Sequence, residues 1–310
     1  MHRLAGVVPL PRSFVAELDR LGISVTEDLA LAKRTWWRVG GCADGFVTLE
    51  SVRDVEAVVR LSAAMGVPLW MLGNGSNVLV SDAGVRGVVV RLGGALAEID
   101  AAGDVPVLTV GGGANLVLLT GRAGRCGWTG IEFFAGIPGT LGGAVRMNAG
   151  TSLGEVVDAL VDVELVTPEG AGWVPASSLG LSYRHSELPA HSVVVSARLR
   201  TTGGDAGHSR RIVAEHLERR ARTQPVDVPT CGSTFRNPPG DYAGRLVESV
   251  GLKGLVRGRA RVSPKHANFV ENLGEASASE IWELIEVVRD AVLSQHGILL
   301  EPEVQRCGAW

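Results

Sequence analysis

The sequence GIEFFAGIPGTLGGAVRMNAG, residues 130–150, decides how the rest of this chain is interpreted. The segment contains six glycines and only two charged side chains, which is typical of a buried loop whose backbone lies close to another group. Pro138 fixes the backbone ahead of the turn, and Thr140 is a suitable N-cap for a short helix over 141–147. We expect the first free amides of that helix to face a bound anion. A tightly packed core loop is the alternative interpretation.

A second loop of the same character lies upstream, between the predicted strands 67–72 and 78–80. Its sequence is Gly73-Asn74-Gly75-Ser76-Asn77. Successive amides in such a loop can enclose a phosphate. The loop matches neither familiar nucleotide-binding fingerprint, because Val78 replaces the third glycine of G-x-G-x-x-G and no G-K-[ST] follows. Alone it indicates a hairpin turn, whereas the two loops together favour a dinucleotide lying between them.

The composition of the chain argues against several classes of protein. Its 310 residues suit two domains, and its formal net charge of −3 argues against a dedicated nucleic-acid binder. No apolar run approaches the ~18 residues that could span a bilayer. The four cysteines are scattered without metal-ligand spacing. We therefore expect a monomeric cytoplasmic enzyme with no metal and with no nucleic-acid or membrane partner.

The secondary-structure pattern predicts an α+β protein of two domains. Short strands and helices alternate up to about residue 199, and TTGGD at 201–205 is a suitable boundary. We expect the first domain at 1–205, divided into two subdomains near 90–105, and the second domain at 206–310.

The second half of the chain has an uneven charge. Residues 232–266 contain seven Lys or Arg residues and two acidic residues, a net charge of +5 in an acidic protein. A solvated surface explains many such clusters. This cluster begins at CGSTFRNPPG and is interleaved with glycines, which also suits a site for a diphosphate substrate.

These motifs together resemble a known family. WRVGGCAD at 37–44 is followed in order by LGNGSNVLVSDAGVRGVVV, AGIPGTLGGAVRMNAG, SYRHS, TQPVDVPTCGSTFRNP, AGRLVESVGLKG and LLEPEV. The same seven motifs occur in this order in the UDP-N-acetylenolpyruvoylglucosamine reductase family, also called UDP-N-acetylmuramate dehydrogenase. The resemblance covers 34–304, nearly the whole chain, and ordered motifs are far more specific than any single one.

The resemblance implies a fold, a cofactor and a reaction. The fold is a two-part FAD-binding domain of the vanillyl-alcohol-oxidase (PCMH) type, followed by a smaller α+β substrate-binding domain. NADPH supplies the electrons. The enolpyruvyl group of UDP-N-acetylglucosamine enolpyruvate is reduced to give UDP-N-acetylmuramate, a step of peptidoglycan precursor synthesis in the cytoplasm.

The resemblance also assigns residue roles, motif by motif. Arg184 of SYRHS meets the substrate carboxylate, Ser233 of CGSTF donates a proton, and Glu303 of EPEV is their acidic partner. The expected FAD contacts are Gly73, Asn74, Gly75, Ser76, Asn77, Gly136, Ile137, Gly139, Thr140, Gly142, Gly143, Asn148 and Ala149. The expected substrate contacts are Tyr183, Arg236, Asn237, Arg245 and His266.

The three catalytic candidates suit the chemistry of an enolpyruvyl ether. Hydride adds to the terminal carbon of the double bond, and negative charge then develops on the next carbon and its carboxylate. Arg184, a permanent cation, can stabilise that charge, and Glu303 can protonate the carboxylate if burial raises its pKa. The hydroxyl of Ser233 is a poor acid in water and needs close placement to protonate the carbanion. Taken singly, each residue also has an ordinary explanation as a turn residue or a surface charge.

The chain departs from the family pattern in three ways. Arg236 stands where many relatives have lysine, which keeps the cation but changes its geometry. The interval 186–231 is short, as in members that lack an inserted tyrosine-bearing loop. The flavin loops contain no histidine at which related folds attach FAD covalently, so we expect a non-covalent cofactor.

Two other functions remain open at this stage. One is another FAD-dependent oxidase or dehydrogenase of the same fold that acts on a small hydroxy acid or lactone. The other is a flavin- or nucleotide-binding sensor module without catalysis, which would not need Ser233 or Glu303. The GSTFRNP segment, the basic cluster and EPEV favour a nucleotide-sugar acid as the substrate.

Overall fold

The structure is a computed structural model that describes residues 10–100 and 106–310. The helices are α1 (Arg12–Arg20), α2 (Val52–Met65), α3 (Leu116–Cys126), α4 (Leu141–Arg146), α5 (Val156–Ala159), α6 (Ala206–Thr223), α7 (Ala243–Ser249) and α8 (Ala278–His296). The strands before residue 130 are β1 (Thr26–Ala30), β2 (Cys42–Leu49), β3 (Leu69–Met71), β4 (Val78–Val80), β5 (Val85–Leu92), β6 (Ile99–Asp100), β7 (Val107–Gly111) and β8 (Trp128–Thr129). The later strands are β9 (Gly150–Thr151), β10 (Gly154–Glu155), β11 (Leu160–Thr167), β12 (Gly170–Pro175), β13 (Val193–Arg200), β14 (Thr202–Gly203), β15 (Val256–Arg257), β16 (Ala260–Val262), β17 (Val270–Asn272) and β18 (Gln305–Cys307).

The first sheet has the strand order β1-β2-β5-β3. Strands β2 and β3 run parallel to β5, and β1 is antiparallel to β2. Helix α2 begins where the Ser51 side chain accepts a hydrogen bond from the Asp54 amide, and it ends at Gly66 in the left-handed conformation. Its apolar face joins Phe14 and Leu18 of α1 in one buried cluster.

The second sheet has the strand order β12-β11-β13-β7-β6 and is antiparallel throughout. Its core includes Phe133, Phe134, Leu141 and Val145. Much of the stretch 130–150 is therefore buried, as its composition predicts, although Gly130, Gly143 and Arg146 are exposed. The first sheet ends at Leu92 and the second begins at Ile99.

The predicted division near 90–105 falls where the two sheets meet in the chain, although residues 101–105 lie outside the described part. Helix α6 opens the predicted second domain but packs on the first. The Ser209 hydroxyl donates to Glu132 Oε1 at 2.7 Å, and Arg210 Nη1 donates to the Gly124 carbonyl at 2.9 Å. The domain limits stay a prediction.

The C-terminal part contains the small sheet β15-β16-β17 with α7 and α8. Trp37, from the first part of the chain, is fully buried in its core. The indole Nε1 donates to the Val270 carbonyl at 2.7 Å, and Asn272 Nδ2 donates to the Trp37 carbonyl at 2.7 Å. Strand β18 of the C-terminal part pairs in parallel with β4 of the N-terminal part, directly after the loop at residues 73–77.

Within the described ranges, no helix has the length and apolar character needed to cross a membrane.

Candidate active site

The two glycine loops are in direct contact. In chain order, the first flavin loop is residues 73–77 and the second flavin loop is residues 130–150. A Cβ on Gly73 would lie 2.5 Å from Oγ1 of Thr140. The Asn74 side chain donates to the carbonyls of Pro138 and Gly139, each at 3.2 Å. The structure thus brings together the two segments that the sequence singles out.

The free backbone amides belong to the first loop. The amides of Gly73, Asn74, Gly75 and Ser76 find no acceptor within the described part of the chain. Gly75 has a φ of 64°, and any side chain there would overlap the Arg34 carbonyl. Four consecutive amides without a protein acceptor are able to bind an anion.

The expectation of free amides at the start of α4 is wrong. Thr140 is the N-cap, as predicted, and its hydroxyl accepts from the Gly143 amide at 3.5 Å. The next amides are already used, because Leu141 donates to the Ala114 carbonyl at 3.0 Å and Gly142 to the Gly112 carbonyl at 2.7 Å. A Cβ on Gly142 would lie 3.1 Å from the same Gly112 oxygen, so this glycine allows the helix to start against the second sheet.

Two of the three catalytic candidates form an ion pair. Arg184 Nε lies 3.2 Å from Glu303 Oε1. Arg184 has a φ of 54°, in a turn closed by reciprocal backbone hydrogen bonds between Ser182 and His185, and such a conformation is costly for a non-glycine residue. Burial raises the pKa of Glu303, while the charges of Arg184 and Arg236 act in the opposite direction.

The third candidate lies on the segment beside Glu303. The Glu303 amide donates to the Thr234 carbonyl at 2.8 Å, and the Arg236 amide donates to the Glu301 carbonyl at 2.9 Å. Ser233 directly precedes this pairing. The Asn77 side chain donates to the Glu303 carbonyl at 3.1 Å, so the flavin loop, EPEV and CGSTF converge at one place.

The residues expected to bind substrate are divided between the site and the surface. The Tyr183 hydroxyl accepts from the Asn237 amide at 3.4 Å, and the Arg184 guanidinium lies 5.0 Å from the centre of the tyrosine ring. Arg236 pairs with Glu301 at 3.5 Å, while its Nε is buried and unpaired within the described residues.

Other predicted contacts have structural partners of their own. The side-chain oxygen of Asn237 accepts from the Ala243 amide at 3.0 Å, where α7 begins. His266 Nδ1 accepts from the Asn268 amide at 3.3 Å, and burial lowers the pKa of its ring. Asn148 is fully buried, and its amide group donates to the Ser182 carbonyl at 2.9 Å.

The basic cluster is largely paired, which favours a solvated surface for much of it. Arg245 forms a bidentate pair with Asp241 at the surface and lowers the pKa of that carboxyl to about 2. Lys253 pairs with Glu248 at 3.0 Å, and Arg261 pairs with Glu271 at 2.6 Å.

A cavity of about 590 Å³ opens beside Gly73, Asn74 and Pro138. Its cations are Lys33, Arg34, Arg38 and Arg91. The exposed side chains of Trp36, Val117 and Val226 form apolar parts of its wall. Three of these cations lie in the run KRTWWR at 33–38, which is the sequence signal that could have identified them.

Polar side chains near the end of α6 and directly after it were also missed. Both ring nitrogens of His216 and Oε1 of Gln224 are buried and unpaired within the described residues. Arg220 Nε lies 2.6 Å from where a Cβ of Gly136 would stand, and burial lowers the pKa of this guanidinium. His216 and Arg220 lie one turn apart on α6, whereas Gln224 follows the end of the helix in an extended conformation.

Similarity to known proteins agrees with this geometry. The FAD binding domain family matches residues 43–172, and the family described as the C-terminal domain of UDP-N-acetylenolpyruvoylglucosamine reductase matches 224–307. The reductase of Anaeromyxobacter sp. (strain Fw109-5) is 50% identical over 294 residues, which are 94% of this chain and 92% of that protein. The reductase of Myxococcus xanthus (strain DK1622) is 44% identical over 299 residues, 96% of each chain.

The crystal structure of the reductase from Thermus caldophilus superposes with a TM-score of 0.81 at 38% identity, over 92% of this chain and 99% of that one. The predicted fold class is confirmed as an FAD-binding domain followed by the C-terminal domain of this reductase, built from both helices and strands. With such similarity over nearly its whole length, the chain belongs to the UDP-N-acetylenolpyruvoylglucosamine reductase family.

Proposed function

We propose that this protein is a flavin-dependent oxidoreductase that uses NADPH to reduce UDP-N-acetylglucosamine enolpyruvate to UDP-N-acetylmuramate. The observation that carries the proposal is the Arg184–Glu303 ion pair at 3.2 Å, which lies beside the Ser233 segment and the first flavin loop. A cation and an acid meeting beside a dinucleotide loop suit a substrate whose reacting double bond carries a carboxylate.

The residues around the two loops fit FAD. The unpaired amides of 73–76 suit a pyrophosphate, and the cavity beside them is about 590 Å³, with four cations in its wall. Gly73 and Gly75 stand where a Cβ would overlap a neighbouring residue. Neither loop contains histidine, which supports non-covalent binding. Bound FAD would supply the hydride transfer, and the protein supplies orientation and charge.

Arg184 would hold the substrate carboxylate and stabilise the charge that develops there. Its guanidinium has five N–H donors in a fixed plane, and its contacts with Glu155, Glu303 and Gly150 use three nitrogen directions. The remaining donors are available to a ligand. Because the side chain is largely buried, its charge acts in a medium of low polarity and is effective there.

Glu303 and Ser233 would supply protons at different atoms. Burial raises the pKa of Glu303, so this carboxyl can share a proton with the substrate carboxylate. The Ser233 hydroxyl has no hydrogen-bond partner among the described residues and is free to face the carbon that becomes basic. Placement beside that carbon compensates for its low acidity.

The alternative of an oxidase for a small hydroxy acid or lactone is not favoured. The relatives at 50% and 44% identity are both named UDP-N-acetylenolpyruvoylglucosamine reductases and align along nearly the whole chain. As finer parts of the proposal, we infer that the protein acts as a monomer in the cytoplasm, in peptidoglycan precursor synthesis. The four cysteines are all unpaired, which supports a reducing compartment.

Anaerobic absorbance spectroscopy of the purified protein tests this function. We expect yellow protein that releases free FAD on acid denaturation, flavin absorbance that NADPH bleaches, and its return when UDP-N-acetylglucosamine enolpyruvate is added. A colourless protein that takes up no added FAD would contradict the fold-based assignment. Flavin that NADPH bleaches but the enolpyruvyl substrate does not restore would contradict the assigned substrate.

A further inference from the structure

Glu155 has no part in the mechanism so far, although it contacts Arg184. Its Oε1 lies 3.3 Å from Arg184 Nη1. On other sides of the same guanidinium, Nε lies 3.2 Å from Glu303 Oε1 and Nη2 donates to the Gly150 carbonyl at 2.8 Å. The planar group is therefore held in one orientation by three acceptors.

A buried asparagine fixes the Glu155 carboxylate in turn. Oε2 of Glu155 accepts from Asn148 Nδ2 at 3.0 Å. Asn148 Nδ2 also donates to the Ser182 carbonyl at 2.9 Å, and its Oδ1 accepts from the Val157 amide at 3.0 Å. Asn148 is fully buried and has a φ of 38°. Since such a conformation persists only where its surroundings determine it, Asn148 limits how far Glu155 can turn away from Arg184.

Two carboxylates thus share one guanidinium, which changes the charge balance at Glu303. Burial raises the pKa of Glu303, and the negative charge of Glu155 raises it further. Arg184 and Arg236 act in the opposite direction. Because Glu155 takes part of the neutralising charge of Arg184, Glu303 receives less of it than it would in an isolated pair.

We propose that Glu155 is a positioning residue of this active site, which orients the Arg184 guanidinium for the substrate carboxylate and maintains Glu303 as a proton donor. The inference rests on the proposed function, because it assigns Glu155 a part in the same reduction. Glu155 acts through Arg184 and Glu303 and is not itself a catalytic residue.

The test is Glu155→Gln in the FAD-loaded enzyme, with stopped-flow measurement of flavin reoxidation across pH. The reoxidation rate should fall by roughly 10–100-fold, because a misplaced binding group is costly even at a distance of ~1 Å. Glu303 acts in its protonated form, so activity is lost as pH rises through its pKa. Removal of the Glu155 charge lowers that pKa, and the alkaline limb of the profile should therefore move to lower pH.

A shorter acid separates charge from placement. Glu155→Asp keeps the negative charge but loses the reach to Arg184, so the rate should fall while the alkaline limb stays in place. The dissociation constant of UDP-N-acetylmuramate, measured by calorimetry on the oxidised holoenzyme, should rise in both variants. The matched control is Glu187→Gln, an exposed glutamate beside Gly180 in the same part of the chain, which should behave as wild type.

The outcomes distinguish this inference from the proposed function. Wild-type enzyme that fails to reduce UDP-N-acetylglucosamine enolpyruvate would overturn the proposed function. A working wild type with an unchanged rate, product affinity and alkaline limb in Glu155→Gln would overturn the inference alone. If Glu155→Gln loses FAD, the test uses Glu155→Asp instead. A wild-type reoxidation rate and a wild-type product affinity in Glu155→Asp would then overturn the inference about Glu155.

Discussion

Ser233 follows Gly232, whose φ of 77° lies in the left-handed region that favours glycine. The residue after it, Thr234, accepts a hydrogen bond from the Glu303 amide at 2.8 Å. The backbone that carries the serine is therefore fixed relative to the acid. A donor as weak as a serine hydroxyl depends on such fixed placement, because its acidity in water is too low.

Ser233→Ala should separate the two half-reactions. Reduction of bound FAD by NADPH needs no carbon acid and should stay near the wild-type rate. Reoxidation by the enolpyruvyl substrate should slow by ~10²–10⁴-fold, the usual loss for a positioned proton donor. Stopped-flow absorbance of the flavin band resolves both steps, with the exposed Ser178→Ala as the control.

Reoxidation of Ser233→Ala within about threefold of wild type, well below the usual effect of a proton donor, would remove this serine from the mechanism. Equal slowing of both half-reactions would instead indicate a displaced flavin.

Arg236 and Arg245 should differ in their effect on substrate binding. The Arg236 side chain is 27% exposed, and its Nε is buried and unpaired within the described residues. Arg245 is 57% exposed and already paired with Asp241. Arg236→Ala should raise KM by roughly tenfold, as expected for a lost hydrogen bond to a charged group. This rise in KM should be larger at low salt. Arg245→Ala should leave KM nearly unchanged. An equal rise in KM for both variants, measured in steady-state assays, would contradict the conclusion that only Arg236 contacts the substrate.

At the scale of elements, the two glycine loops act as one unit. Asn74 donates to both Pro138 and Gly139, and Gly73 packs against Thr140. Gly75 and Gly139 differ in the space around them. Gly75 has a φ of 64° and lies against the Arg34 carbonyl, whereas the atom nearest to a Cβ on Gly139 would be Ser76 Oγ at 3.6 Å.

Gly75→Ala should therefore strongly reduce FAD binding and thermal stability, whereas Gly139→Ala should reduce them only slightly. The first substitution combines a left-handed backbone with a collision against main chain, and strain of this kind costs on the order of 1–3 kcal/mol. The ratio of FAD to protein and the thermal unfolding midpoint measure both effects. Full FAD retention and a normal midpoint in Gly75→Ala would show that the loop can move away from Arg34.

Local features of these elements were predictable from sequence, whereas their tertiary partners were not. Ser51 and Thr140 are N-caps because their side chains bond amides three residues ahead, so a short window of sequence contains the signal. Glu155 meets Arg184 across 29 residues, and nothing in the local sequence indicates that contact. The amides of α4 illustrate the same limit, because their acceptors are carbonyls of another segment, at Gly112 and Ala114.

At the scale of the whole molecule, the N-terminal and C-terminal parts share structure around the site. Trp37 is buried in the C-terminal core, and β18 pairs with β4, next to the first flavin loop. The Asp82 carboxylate, two residues after β4, accepts hydrogen bonds from the Ala278 and Ser279 amides at 2.8 and 2.9 Å. Asp82 thus neutralises the start of α8 from the N-terminal part of the chain.

Asp82→Ala should lower the thermal stability of the whole molecule and not of the C-terminal part alone. Loss of an acceptor at a helix N-terminus costs ~0.5–2 kcal/mol, and the shared core should transmit that loss to the flavin loops. We expect a lower unfolding midpoint in a single calorimetric transition, and saturating FAD should raise the midpoint of both wild type and variant, because the cofactor binds the folded state. Asp290→Ala, at an exposed position of α8, should change neither. Two separate transitions, with only the C-terminal one moved by Asp82→Ala, would show that the parts fold independently and that the interface around Trp37 does not couple them.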